Sequence, residues 1–99
     1  LGMRIIARRA LRDFWEVHPD AEEALRTWYT YVRQADWHTP SDVRSVFRTA
    51  SFVGNDRVVF NIKGNRYRLV VIVVYRHHAV YIRFIGTHRE YDNIDVATV

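Results

Sequence analysis

The apolar pattern of this chain changes period near its middle. Up to about residue 50, apolar side chains recur every three or four positions, and beyond Arg57 they recur every second position. Such a chain is confined to an α+β class, with helices first and a sheet after them. In the first half, "RALRDFWEVH" places Leu11, Phe14, Trp15 and His18 at i, i+3, i+4 and i+7 of a helix that Pro19 stops. Asp20 then reads as the cap of a second helix, with Glu23 at the third helical position of a capping-box-like start. Leu25, Trp28, Val32 and Ala35 form its apolar stripe. So short a connection predicts an antiparallel helical hairpin. Thr39-Pro40-Ser41-Asp42 opens a short third helix carrying Val43, Val46 and Phe47, and the helical region ends near Ala50.

In the second half, "RVVFNIK" sets Val58, Phe60 and Ile62 against Val59, Asn61 and Lys63. "KGNR" is a turn in which Gly64 and Asn65 suit positive φ. "YRLVVIVVY" is apolar on both faces, as expected of a central strand covered on both sides. "RHHA" is the next turn, which makes His77 and His78 turn residues. "VYIRFI" puts Val80, Ile82 and Phe84 on one face and Tyr81, Arg83 and Ile85 on the other. Ile5 and Ile6 offer a short extra strand. The expected architecture is an N-terminal helical hairpin packed on a three- to four-stranded antiparallel sheet, with a short C-terminal helical turn. It forms one domain over residues 3–99, with Leu1 and Gly2 set aside. At 99 residues and 48% hydrophobic composition, one core is within reach without covalent staples.

Composition removes several function classes. The chain has no cysteine, hence no disulfide framework and no thiolate metal site, which fits a reducing cytosol. No apolar run approaches the ~18 residues a spanning helix needs, and no signal-peptide apolar core stands at the start, so no membrane role is expected. The formal net charge of +4 is unevenly placed. Residues 1–56 carry eight basic and eight acidic side chains, whereas 57–99 carry seven and three. From Arg57 to Arg89 there is no carboxylate at all. A field of one sign over half of a small domain attracts polyanions.

Chemistry concentrates in "IGTHREYDN". Thr87 and Glu90 have the spacing of a capping box. A helix starting there aligns His88, Tyr91 and Asp92 on one face, where Asp92 can pair with His88. Arg83 precedes this segment, and Arg68 opens a strand otherwise apolar on both faces, where a charge needs a partner or a place at the sheet's mouth. For each arginine, a salt bridge to a helix carboxylate is the alternative reading. Asn61, Lys63, Asn65 and Arg66 flank the first hairpin turn. Cleaving an RNA phosphodiester needs a base for the 2′-hydroxyl proton, an acid for the leaving 5′-oxygen and cations for the phosphorane. Histidine and tyrosine move protons, and arginine and lysine hold phosphate. No HExxH or comparable ligand spacing suggests a metal, and no cofactor is expected.

The segments "RRALRDFWEVHPDAEEALRTWY", "VFNIKGNRYRLVVIVVY" and "YIRFIGTHREYDNID" together resemble the HigB-type toxins of bacterial type II toxin–antitoxin systems, within the RelE-like mRNA interferase superfamily. The resemblance spans Met3 to Asp95. It implies a RelE-like fold and a metal-independent endoribonuclease that cuts mRNA, commonly on the ribosome, and arrests translation and growth. It also implies a HigA-type helix-turn-helix antitoxin and a bacterial cytoplasmic location. Through "NxKGNxxR" it marks Asn61, Lys63, Asn65 and Arg68 on the substrate side, and through "R…THxEYD" it adds Arg83, His88, Tyr91 and Asp92. The resulting expectation has Arg68 and Arg83 on the scissile phosphate. Lys63, Asn65, Asn61, Arg66 and Arg89 meet RNA, with Lys63 and Asn65 alternatively assisting proton transfer, His88 or Tyr91 acts as acid or base, and Asp92 orients His88. Two competing readings remain open at this point. One is a non-catalytic RNA-binding module stacking bases on Tyr67, Tyr75 or Tyr81. The other is a basic face that serves mainly to hold an acidic partner segment.

Overall fold

A computed structural model describes residues 2–99; Leu1 lies outside the described residues. The element order is β1 (Arg4–Ile6), α1 (Arg9–Val17), a 3-10 turn (Pro19–Ala21), α2 (Glu22–Gln34), α3 (Pro40–Arg44), β2 (Ser51–Val53), β3 (Arg57–Ile62), β4 (Tyr67–Val74), a second 3-10 turn (Tyr75–His77), β5 (Ala79–Thr87) and α4 (His88–Asp92). The expected meander β3-β4-β5 is the centre of a five-stranded sheet ordered β1-β5-β4-β3-β2. The α+β class holds, but the sheet is mixed and has five strands rather than an antiparallel three or four. β1 joins β5 in parallel, because the whole helical layer intervenes between it and the sheet. β2 pairs only with residues 57–59, and three residues are too few to show an alternation.

The helices cover one face of the sheet. Leu11, Leu25, Trp28 and Val32 pack with Phe60, Ile62, Leu69 and Val71 in a single buried cluster. Arg8 meets Tyr29 while Arg26 stacks on Trp15, so the start of α1 lies beside the end of α2 and the hairpin is antiparallel. On the opposite face Val59 and Val70 are buried as well. There the C-terminal segment returns across the sheet, its Ala97 carbonyl accepting from Asn55 at 3.1 Å and its Val99 carbonyl from Arg57 at 2.7 Å. This second cover is why β4 is apolar on both faces.

Three local expectations change. First, Asp20 does not cap α2. It sits inside the 3-10 turn, and α2 begins at Glu22 behind Ala21 with no side-chain cap. Second, the alternation of β5 breaks at Arg83. Ile82 pairs with Val71 and Phe84 with Val70, which leaves Arg83 as the extra residue of a bulge. Ile85, opposite Leu69, therefore packs against the core, and Phe84 takes the outer face. Third, positive φ in the 63–66 turn falls on Lys63 (55°) and Gly64 (64°), not on Asn65. Asn65 is thereby free to use its side chain elsewhere.

Candidate active site

Arg68 on β4 lies opposite Asn61 on β3 and Gly86 on β5, a row across the outer face of the sheet. A helix-side carboxylate does not meet Arg68. Its guanidinium donates to the Asn65 carbonyl at 3.0 Å, to the Asn65 side-chain oxygen at 2.7 Å and to the Tyr67 carbonyl at 3.3 Å. All three acceptors are neutral. They fix the fork without cancelling its charge, and among the described residues Arg68 has no ion-pair partner. This is the arrangement a phosphate-binding cation needs.

At the end of β5 the chain turns into α4. Gly86 makes that turn possible, since a Cβ there would stand 2.5 Å from the Phe84 ring and 2.9 Å from the Glu90 carboxylate. A glycine inside a strand pattern is a sequence signal of such a close approach, and the reading of the motif passed over it. The capping box forms as expected. Thr87 Oγ1 accepts from the Glu90 amide at 3.1 Å, and Glu90 accepts from the Thr87 amide at 2.8 Å. The His88 amide also donates to the Arg66 carbonyl at 3.2 Å, which ties the first residue of α4 to the hairpin turn. The cap thus holds the face that carries His88, Tyr91 and Asp92. His88 Nδ1 lies 3.1 Å from Asp92 Oδ2, and the Tyr91 ring centre lies 5.9 Å from the Arg68 guanidinium carbon. Tyr91 is half-buried, whereas His88, Arg89 and Asp92 are exposed.

The other candidates divide. Asn61 stands in the Arg68 row, and with Lys63 it borders a cleft of about 350 Å³ that Asp20 and Glu23 also line. Arg83 does not join Arg68. Its Nε reaches the Val99 carbonyl at 3.3 Å, the same oxygen that Arg57 holds. The salt bridge to the helical layer weighed for Arg68 and Arg83 forms at neither among the described residues; Arg66 instead meets Asp20 at 2.7 Å. Asp20 also accepts from the Tyr67 hydroxyl at 2.5 Å. Among the described residues no three His, Cys, Asp or Glu side chains are grouped to hold a metal ion. Nor is any helix there long and apolar enough to cross a membrane.

The Asp20 contacts anchor the turn that carries Lys63 and Asn65, and they have a pH signature. The Tyr67 hydrogen bond first, and Arg66 second, hold the Asp20 carboxyl below the usual carboxylate range; the same bond raises the Tyr67 phenol. A carboxyl with a depressed folded pKa stabilises the fold above its unfolded value of ~3.9, and that stability disappears as pH falls through the folded value. Asp20→Asn is expected to remove this component, flattening the loss of thermal midpoint as pH drops below about 4. Thermal unfolding over a pH series checks it; identical acid limbs in both proteins would refute the assignment.

The family model described as HigB toxin, a RelE-like toxic component of a toxin–antitoxin system, matches residues 21–94, a span that holds every candidate above. The chain is 32% identical over 92 residues to the mRNA interferase toxin HigB of Escherichia coli strain K12, covering 91% of this chain and 88% of that relative. It matches the mRNA interferase HigB of Shigella flexneri to the same extent. A further mRNA interferase HigB, from Escherichia coli O6:H1, is 23% identical over 94 residues, covering 93% of this chain and 91% of the relative. A helical hairpin on a sheet, an un-neutralised arginine beside a capped histidine–tyrosine–aspartate turn, and likeness along nearly the whole chain have one common explanation: this chain belongs to the HigB toxin family, the RelE-like toxic components of toxin–antitoxin systems.

Proposed function

We propose that this chain is an mRNA interferase, a toxin that cuts mRNA endonucleolytically and so stops translation and growth. One observation carries the reading: Arg68 is immobilised by Asn65 yet left without a counter-charge, in a stretch of 33 positions (57–89) that lacks any carboxylate. In the proposed reaction Arg68 grips the non-bridging oxygens of the scissile phosphate. Asp92 occupies His88 Nδ1, which orients the ring and leaves Nε2 to take the 2′-hydroxyl proton. The 2′-oxygen bonds to phosphorus, the bond from phosphorus to the 5′-oxygen breaks, and the Tyr91 hydroxyl protonates that oxygen. The products are a 2′,3′-cyclic phosphate and a 5′-hydroxyl, and water restores both groups. Lys63, Asn61 and Asn65 position the strand, and exposed Arg89 adds charge at the rim. Arg83 and Arg66 support the framework through Val99 and Asp20 rather than meeting the scissile phosphate.

The finer reading is one domain over residues 3–99 that acts on mRNA held by the ribosome in the bacterial cytoplasm, with a HigA-type helix-turn-helix antitoxin as its partner. The likeness to relatives named mRNA interferase HigB supports it. Inducing the chain in bacteria and mapping mRNA 5′ ends tests the activity. New ends carrying a 5′-hydroxyl are expected, confined to translated copies of a message. His88→Ala and Tyr91→Phe are each expected to lower cleavage by about a hundredfold or more. A non-catalytic RNA binder would produce no new ends, and full activity in both variants would remove these residues from the chemistry.

A further inference from the structure

β2 pairs with only residues 57–59 of β3, so among the described residues the edge of β3 from Phe60 onward has no neighbouring strand. Beside that open edge, α2 and the end of β3 border the cleft of about 350 Å³. Ala24, Phe47 and Ile62 give it apolar walls. Two of its polar groups are unspent. Glu23 is exposed and has no hydrogen-bond or ion-pair partner among the described residues. Trp28 is 2% exposed, and its Nε1 is buried with no hydrogen-bond partner. A buried donor is ordinarily satisfied, and an acceptor entering the cleft beside the ring would satisfy this one. Asp20, the other carboxylate, is already engaged, its two oxygens accepting from Arg66 and Tyr67. The cleft adjoins the ribonuclease site through Asn61, which lines it and lies opposite Arg68. Lys63 stands exposed at its border.

We infer that this cleft is a base-recognition subsite for a nucleotide flanking the scissile phosphate. It selects a base that carries an amino group beside an acceptor: adenine, guanine or cytosine rather than uracil. The inference deepens the ribonuclease reading above and rests on it. The charges decide which part of a nucleotide enters. Glu23 repels phosphate, so the anionic backbone stays outside, where Lys63 and Arg68 have no ion-pair partner among the described residues. What enters between the apolar walls is neutral and partly apolar, which describes a nucleobase splayed out of its stack. Its exocyclic amino group donates to the Glu23 carboxylate. The neighbouring ring nitrogen or carbonyl oxygen accepts from Trp28 Nε1. Uracil has no amino group. Its one edge donor, N3–H, is flanked on both sides by carbonyl oxygens, which the carboxylate repels. Trp28 and Glu23 are therefore specificity-determining groups, whereas Arg68 and α4 carry the reaction.

The test uses the full chain and the variant Glu23→Gln, a change at an exposed position whose fold an unchanged thermal midpoint verifies. Mapping mRNA 5′ ends after induction gives the base frequencies around the cuts. The parent is expected to disfavour uridine about tenfold or more at one fixed position beside the cut. Glu23→Gln is expected to erase that bias, because a carboxamide donates as well as accepts. A second readout needs no cleavage. The indole Nε1–H resonance of Trp28, identified by its loss in Trp28→Phe, is followed during titration with nucleoside 5′-monophosphates. It is expected to shift with the adenosine, guanosine and cytidine nucleotides and to stay in place with the uridine nucleotide, which has the same ribose and phosphate. A selective indole response in a chain that cuts nothing would keep the subsite and remove the ribonuclease reading. An indole signal indifferent to all four nucleotides, or shifted equally by uridine monophosphate, overturns the proposal. So does a uridine bias that Glu23→Gln leaves unchanged.

Discussion

Arg68→Ala is expected to abolish growth arrest and to lower mRNA cleavage by about a hundredfold to a thousandfold, the usual consequence of deleting a preorganised group that stabilises charge in the transition state. The size of the effect follows from how the side chain is held. Three hydrogen bonds to Asn65 and Tyr67 settle the guanidinium before substrate arrives, so its orientation costs nothing at the moment of reaction. None of the acceptors is charged, so in the proposed reaction the cation is not neutralised before it meets the phosphate. The fold does not depend on it, because Arg68 contributes to the sheet through its backbone pairing with Asn61 and Gly86. Arg68→Lys is expected to recover only part of the activity. An ammonium keeps the charge but cannot reach two acceptors of Asn65 and two phosphate oxygens in one plane. Cleavage rates on a translated message, with the fold checked by circular dichroism, measure both variants. Parent-level toxicity in Arg68→Ala would take this residue out of the site.

Phe60→Ala is expected to produce the largest loss of stability. Phe60 is 1% exposed and touches three other aromatic residues, with ring centres at 5.0 Å to Phe47, 5.5 Å to Trp28 and 6.4 Å to Trp37. These residues come from α2, the segment leading into α3, the stretch after α3 and β3, so the ring joins the helical layer to the sheet at one point. Rigid rings around a vacated phenyl group collapse poorly, which puts the cost at the usual ~3–5 kcal/mol for a buried phenylalanine. For a domain of this size that is about 15–30 °C in thermal midpoint. Differential scanning calorimetry measures it, and cleavage per folded molecule at low temperature is expected to be preserved, since Phe60 lies on the face away from Arg68. A shift of only a few degrees would show that the aromatic cluster closes over the gap.

The elements built from local rules were legible in the sequence. The helix start at Thr39-Pro40 and the capping box at Thr87 form as their spacing requires, because a cap involves only residues three apart. The β3-β4-β5 meander follows from its alternation and turns. The errors fall where the deciding partner is remote in sequence. Asp20 has the signature of a helix cap, yet Tyr67, 47 positions away, competes for its carboxylate and wins. The bulge at Arg83 is invisible to a period-two count, and it exchanges the faces of Phe84 and Ile85. A strand of three residues such as β2 is defined by its neighbour alone.

The same division runs through the site. By itself the sequence determined the class of the fold, the helix that presents His88, Tyr91 and Asp92 on one side, and a basic second half free of carboxylates over residues 57–89. Periodicity, capping and charge depend on neighbours along the chain, so they are written there. Only the tertiary structure decided which arginine is available. Arg66, Arg68 and Arg83 are alike in sequence, but Arg66 is neutralised by Asp20, Arg83 is drawn to the Val99 carbonyl, and Arg68 alone of the three lies beside Tyr91 without a counter-ion among the described residues. The availability of a charge depends on which groups the fold brings within a few ångströms of it, and a one-dimensional pattern does not contain those distances.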